Sequence, residues 1–388
     1  MNFPLHFMDF SPGYEELNKN YMEMLSDSFN LCQEFFQPSI KHIENTYKYF
    51  NILNDLNDPV TDWTTYHEVV YKNQTLRLMY FPSPNRNPSK RPILVLPPQA
   101  AHHSNLADFS PAQSLVRVFQ RYGYDAYACE WASATNEYKD LGIADYIRLT
   151  DEAVEYIREQ SGFYKIHIMG QCQGGWQAAI YTSLHQEKIA SLAIAAAPID
   201  VNAEDSEIVR MAQEYPLELF EFMVNLGNGR MNGHYMLMGF KSMQMEEHYI
   251  KKYYRLWDMV INNDQEGLRR FMNFENWYEY TQFLPGKFYL EIIRNIFKGN
   301  NLTKPNAIVL DGRGVDLRKI TCPVIILAGA KDHITPPAQA FALKNHVSTP
   351  EEDVVEILTN GGHIGTLMGT ESSREDWTAV AEVLELSI

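Results

Sequence analysis

The run Lys165-Ile166-His167-Ile168-Met169-Gly170-Gln171-Cys172-Gln173-Gly174-Gly175-Trp176 governs the reading of the residues on either side of it. Its β-branched first half predicts a buried strand and the residues that follow carry a helical pattern, so Gly-x-Cys-x-Gly falls on a strand-to-helix turn. A nucleophile at the tip of such a turn is held in strained backbone, with no room for a Cβ two positions to either side. Gly170 and Gly174 meet that need, and Gly175 lets the helix approach the strand. A helix starting near Gln173 directs its N-terminal amides and dipole at the Cys172 sulfur and favours the thiolate, the reactive form. The Gln173 amide is then placed to face a developing oxyanion. The competing reading is a buried cysteine in a glycine-containing turn. Residues elsewhere in the chain decide between the two.

Upstream, His67 to Phe81 alternates as a β-hairpin does, and Ile93-Leu94-Val95-Leu96 is a continuous apolar run suited to a central strand. Pro97-Pro98-Gln99-Ala100-Ala101-His102-His103 follows directly. In a nucleophile-elbow layout the second oxyanion donor comes from this loop, and prolines have no N–H, so Gln99 and Ala100 are the candidates. His102 and His103 either touch substrate or are solvated. Ser110-Pro111 predicts a helix with serine as N-cap and Gly123 as its end. Tyr124 to Trp131 reads as a strand, Ile143 to Gln160 as a helix and Ile189 to Ala197 as another strand. Strands alternating with helices imply a mostly parallel sheet covered on both faces.

Downstream, residues 201–305 break this rhythm. Met211, Met223, Met231, Met236, Met238, Met243 and Met245 crowd one part and aromatic residues crowd Tyr249 to Tyr289. The segment falls where such folds insert a cap, and methionines and aromatics suit an adaptable apolar cavity; the alternative is a helical subdomain with a methionine-rich core. The sheet resumes at Val324-Ile325-Ile326-Leu327-Ala328, with Asp332 just beyond it, and Val354 to Leu358 is the last strand, with His363 after Gly361 and Gly362. Those two glycines are expected to let the loop swing the imidazole toward the elbow. Cys172, Asp332 and His363, in that order and each after a strand, form the constellation of an α/β-hydrolase triad. His333 is expected to point away from a site that Asp332 enters, and ranks below His363. With His102 and Trp176 it completes the candidate substrate contacts.

The chain has 388 residues, with 33 lysines and arginines against 49 acids, a net charge of -16. That balance argues against nucleic acid or an anionic membrane surface as partner. No signal peptide or transit peptide is visible, and no run approaches the length of a membrane span. Cys32, Cys129, Cys172 and Cys322 lie far apart, without metal-ligand spacing, and read as reduced thiols of a cytoplasmic protein. The expected organisation is an N-terminal helical segment at 1–65, an α/β-hydrolase core at 66–200 and 306–388, and a helical lid at 201–305.

From His67 onward the sequence resembles the poly(3-hydroxyalkanoate) synthase family. The resemblance rests on His67-Glu68-Val69-Val70-Tyr71, Val95-Leu96-Pro97-Pro98, Ser110-Pro111 with Ser114-Leu115-Val116-Arg117, and Gly170-Gln171-Cys172-Gln173-Gly174-Gly175. Val315-Asp316-Leu317, Ile320-Thr321-Cys322-Pro323-Val324, Asp332-His333-Ile334 and Gly362-His363-Ile364 extend it. It implies a cysteine that carries the growing acyl chain, Asp332 and His363 as its partners, a lid, a (3R)-hydroxyacyl-CoA donor, no metal and no cofactor beyond coenzyme A as part of the substrate. A homodimer or a second synthase subunit, and a place on polymer inclusions, come with the same resemblance. The chain departs from the family at Gln99-Ala100-Ala101-His102-His103, Gln171, Gln173, Trp176 and Asn273-Phe274-Glu275-Asn276-Trp277-Tyr278. These positions surround the pocket and bear on substrate and acceptor. Two further readings share the residues: a hydrolase (a thioesterase or a hydroxyalkanoate oligomer esterase) with water as acceptor, and a non-catalytic protein of polymer inclusions. Lys251, Lys252 and Arg255, or Arg269 and Arg270, would either meet the CoA phosphates or form a solvated basic helix face.

Overall fold

Apolar runs with no polar face cannot sit at a surface, and the chain stacks them side by side in one sheet. The computed structural model describes residues 40–56 and 59–386. Its strands are β1 Glu68–Lys72, β2 Leu76–Phe81, β3 Ile93–Leu96, β4 Ala126–Trp131, β5 Ile166–Gln171, β6 Ile189–Ala195, β7 Val324–Gly329 and β8 Val354–Thr359. They lie in the order β1-β2-β4-β3-β5-β6-β7-β8. Only β2 runs against its neighbours; every other pair is parallel.

The pleat divides the interior in two, as alternation along a strand requires. Leu94, Leu96, Ile166 and Ile168 belong to the core on one face, and Ile93, Val95 and Met169 to the core on the other. β3, β4, β5 and β7 are buried along their whole length, whereas the edge strands β1 and β8 are partly open. The carboxyl ends of β3 and β5 are therefore central, at the point where the strand order reverses, which is where open α/β sheets place their ligands.

The helices largely follow the sequence pattern. Ile143–Ser161 ends at Gly162, whose φ is 76°, and Gln173–Leu184 follows β5. The helix expected to open at Ser110 instead starts at Leu115, with Ser114 as its N-cap accepting from the Arg117 amide at 3.0 Å. The reason is Asp108, fully buried, which accepts hydrogen bonds from the Ser114 hydroxyl at 2.5 Å, the Thr65 hydroxyl at 2.7 Å and the Thr65 amide at 2.7 Å. Residues 108–114 are thereby tied into a short antiparallel turn before the helix can begin.

Two compact units are present among the described residues, one of residues 59–248 and 274–386, the other of residues 40–56 and 249–273. The larger carries the sheet together with the helices Glu207–Glu214, Leu217–Leu226, Gly233–Met243 and Gly286–Ile292, a wide helical turn at Ile293–Lys298, and a ladder pairing Arg230–Met231 with Leu284–Pro285. The smaller joins the helix Ile40–Asn54 to Lys252–Ile261 through Leu256, Val260, Tyr49, Ile52 and Leu53, with Trp257 edge-on to Tyr49 at 5.7 Å. Within it Lys252 is buried, whereas Lys251, Arg255, Arg270 and Arg269, the last paired with Glu266 at 2.7 Å, lie exposed. Residues 1–39 of the expected N-terminal helical segment, Cys32 among them, lie outside the described residues, and residues 59–65 are described but not helical.

Candidate active site

Cys172 adopts φ 51° and ψ -117°. A non-glycine residue there costs about 1–3 kcal/mol and persists only where its surroundings hold it. Here the Cys172 amide donates to the Ala195 carbonyl at 2.7 Å and the Gly175 amide to the Cys172 carbonyl at 2.8 Å. A Cβ on Gly170 would lie 2.0 Å from the Gly174 carbonyl oxygen, and one on Gly174 would lie 1.9 Å from the Leu96 carbonyl oxygen. β3, β5 and the following helix thus meet at van der Waals limits around the cysteine. Gln171, beside it, donates from Nε2 to the Leu367 carbonyl at 2.9 Å and so ties the end of β5 to the helix His363–Met368.

Asp332, three residues beyond β7, accepts from the Ile334 and Thr335 amides through Oδ1, at 2.9 and 2.8 Å. Its Oδ2 lies 2.7 Å from His363 Nδ1. A carboxylate only accepts, so Nδ1 carries a proton and Nε2 is left for another partner. Cys172 borders the same cavity as His363, close enough for its sulfur to act on the charge of the ring. Burial alone would push the imidazole pKa down; the Asp332 carboxylate and the Cys172 sulfur outweigh it and raise it well above its usual value. The three residues are brought together. After Gly361 and Gly362, His363 opens a short helix that is held by the Thr366 hydroxyl against Thr359 at 2.8 Å and by Trp377 Nε1 donating to the Thr366 carbonyl at 3.1 Å.

The sulfur and the imidazole border a cavity of about 560 Å³. Met211, Met223, Met231, Met236 and Met243 line it, while Met238 and Met245 are exposed on the outer side of the same segment. Trp176 lines it, and so does His333, which was expected to turn away. Of the two candidates in the loop after β3, Ala100 borders the cavity; the Gln99 side chain turns to Tyr146 and donates to its hydroxyl at 2.6 Å. Ala101 next to it has φ 71°, a second strained non-glycine residue at the site.

His102 also borders the cavity, half-buried among neighbours that lie far from it in the chain. Its ring stacks on Trp277 at 4.8 Å and Tyr278 at 5.1 Å, and its two nitrogens lie 3.1 Å from the Ala100 and Tyr278 carbonyl oxygens. The Gln282 amide donates to the Ala101 carbonyl at 2.7 Å and Trp277 Nε1 to the His103 carbonyl at 3.3 Å. The loop after β3 is therefore pinned to residues 277–282. The one available signal was the aromatic pair Trp277-Tyr278, which does not reveal its partner.

Burial lowers the His102 pKa to about 4 against the raising effect of those carbonyls. Above about pH 6.5, the unfolded value, the ring is neutral in both states and the stability is complete. Between about 6.5 and 4 only the unfolded chain takes the proton, so stability falls with pH, by about 3 kcal/mol from this group. Urea unfolding at pH 7.5 and pH 4.5 is expected to show a lower midpoint at the acid pH. An equal midpoint in wild type and His102→Phe at both pH values would contradict this.

A sheet in this order, reversed only at β2 and carrying a cysteine on the turn after β5, defines the α/β-hydrolase fold. Monoacylglycerol lipase of Paleococcus ferrophilus superposes with a TM-score of 0.50 over 81% of this chain and 100% of its own, at 15% identity. A soluble variant of monoglyceride lipase from Saccharomyces cerevisiae does so with a TM-score of 0.54 over 85% and 98%, at 12% identity. These likenesses are of fold.

The chain belongs to the family described as "Protein of unknown function (DUF3141)", whose model matches residues 44–386. It is also a distant relative of the poly(3-hydroxyalkanoate) polymerases. It is 27% identical over 319 residues to the PhaC subunit of Allochromatium vinosum, covering 82% of this chain and 87% of that one. With the PhaC subunit of Synechocystis it shares 26% over 369 residues, 93% of each chain. With that of Haloferax mediterranei it shares 28% over 319 residues, 82% of this chain but only 63% of the relative's length.

Proposed function

We propose that this protein is an acyltransferase that moves a (3R)-hydroxyacyl group from coenzyme A to a hydroxyl acceptor, the end of a growing polyester, through a thioester on Cys172. The observation that carries the reading is the line Cys172, His363, Asp332 at the edge of an apolar cavity. His363 Nε2 takes the thiol proton and the sulfur attacks the thioester carbonyl. The oxyanion is met by the Gln173 amide, at the start of its helix, and by that of Ala100. Collapse expels the CoA thiolate, which takes the proton back from His363. The acceptor hydroxyl then gives its proton to Nε2, attacks the acyl-cysteine and releases the Cys172 sulfur, which recovers the proton. Donor and acyl-enzyme are both thioesters, so the first exchange is nearly balanced and the acyl group stays activated.

Asp332 holds the ring in the tautomer that presents Nε2 to sulfur. Asp332→Asn is expected to keep the fold and lower turnover by about 10²–10⁴-fold, measured as CoA release; an unchanged rate would remove Asp332 from the mechanism. Residues 201–248 and 274–305, which supply much of the cavity wall, serve as its cap. The experiment is incubation with 3-hydroxybutyryl-CoA followed by size analysis of the product. Oligomer supports transfer to a hydroxyl. Free acid alone makes the protein a thioesterase with the same three residues.

A further inference from the structure

The reaction above uses the backbone of Gln173 and leaves its side chain without a task. Gln173 is 7% exposed and borders the cavity next to the sulfur. Its Nε2 is nevertheless buried with no hydrogen-bond partner among the described residues. The neighbouring buried glutamines differ: Gln99, Gln171 and Gln177 each donate from Nε2, to the Tyr146 hydroxyl, the Leu367 carbonyl and the Thr150 hydroxyl. A buried amide with nothing to bond to is uncommon in folded proteins and costs stability. A side chain retained in that state beside a reactive sulfur, in a wall made mainly of methionine, aromatic and aliphatic residues, points to a bond made only when the cavity is filled.

We propose that the Gln173 carboxamide donates to an oxygen substituent on the acyl chain close to its thioester carbonyl, making Gln173 the residue that selects oxygen-bearing acyl groups over plain alkanoyl groups. The inference rests on the acyl-thioester reading of Cys172 and adds the means of selection. Its position fits: Gln173 is the first residue of the helix after Cys172, so its side chain and the bound carbonyl share one end of the cavity. A site built to bond an oxygen discriminates against the analogue lacking it, because the protein group is then left unpaired. The bare alkanoyl chain leaves Nε2 buried as the structure has it, and the hydroxylated one satisfies it once the carboxamide turns Nε2 toward the cavity.

The test compares Cys172 acylation by 3-hydroxybutyryl-CoA and by butyryl-CoA, followed by intact-protein mass spectrometry, in wild type and in Gln173→Met, which keeps the bulk and removes the donor. The expected wild-type ratio favours the hydroxylated donor by about tenfold or more, and Gln173→Met is expected to bring the ratio close to one, whatever its absolute rates. A merely structural role would slow both donors alike and leave the ratio unchanged, which overturns the proposal. Equal wild-type rates with the two donors overturn it without any variant. Acylation by neither donor removes the thioester reading itself, and the selection role with it.

Discussion

Cys172→Ala is expected to lower CoA release from a hydroxyacyl-CoA by about 10⁴-fold or more while leaving the fold in place. The size of the loss follows from covalent chemistry: with no sulfur, His363 has nothing to deprotonate and the acyl group has nowhere to rest. The fold is spared because the strain at this position is borne by the backbone bonds to Ala195 and Gly175, which an alanine also makes. The sulfur itself packs only at the edge of the core, since Cys172 is half-buried, unlike the buried Cys129 and Cys322. The expected shift in Tm is within a few degrees. A variant that released CoA at the wild-type rate would place the chemistry elsewhere.

Gly174→Ala is expected to have the opposite profile, a collapse of stability with the reacting groups untouched. The new Cβ would lie 1.9 Å from the Leu96 carbonyl oxygen, 2.8 Å from its carbon and 3.2 Å from the Pro97 oxygen. All three are backbone atoms of β3 and the loop it enters, so no side chain can move aside, and relief requires the helix to lift off the sheet. A loss above about 4 kcal/mol is expected, seen as insoluble protein or a urea midpoint far below wild type. Gly365→Ala, where a Cβ meets nothing within 4 Å, is the control and is expected to be tolerated. Similar midpoints for the two variants would mean that helix and strand are not held in close contact.

How much of this was legible in the sequence depended on how local each cause is. The turn at Cys172 could be read because the close approach of strand and helix admits only glycine at two fixed positions, and sequence spacing records that directly. The order Cys172, Asp332, His363 could be read because each residue follows an apolar run that forms a strand. Ser110 and Ser114 are both reasonable caps; what favours Ser114 is the buried carboxylate of Asp108, whose other partner, Thr65, lies more than 40 residues away. Met238 and Met245 could not be told from their five cavity-lining counterparts, since a helix apolar on several faces does not declare which face is inward. The pinning of His102 by Trp277 and Tyr278 is a long-range pairing with no periodicity to announce it. The anchoring of the helix that His363 opens, through Thr359, Thr366 and Trp377, is likewise not local to Gly361 and Gly362.

The central claim is that one sulfur carries the acyl group. Its most direct test is a mass spectrum of the peptide containing Cys172, taken after brief exposure of the protein to 3-hydroxybutyryl-CoA and acid quench. The account predicts a mass increase of one or more 3-hydroxybutyryl units on that peptide, removed by hydroxylamine and absent from Cys172→Ala. CoA release at full rate with an unmodified Cys172 peptide, in a protein whose Cys172→Ala variant is equally active, would contradict it.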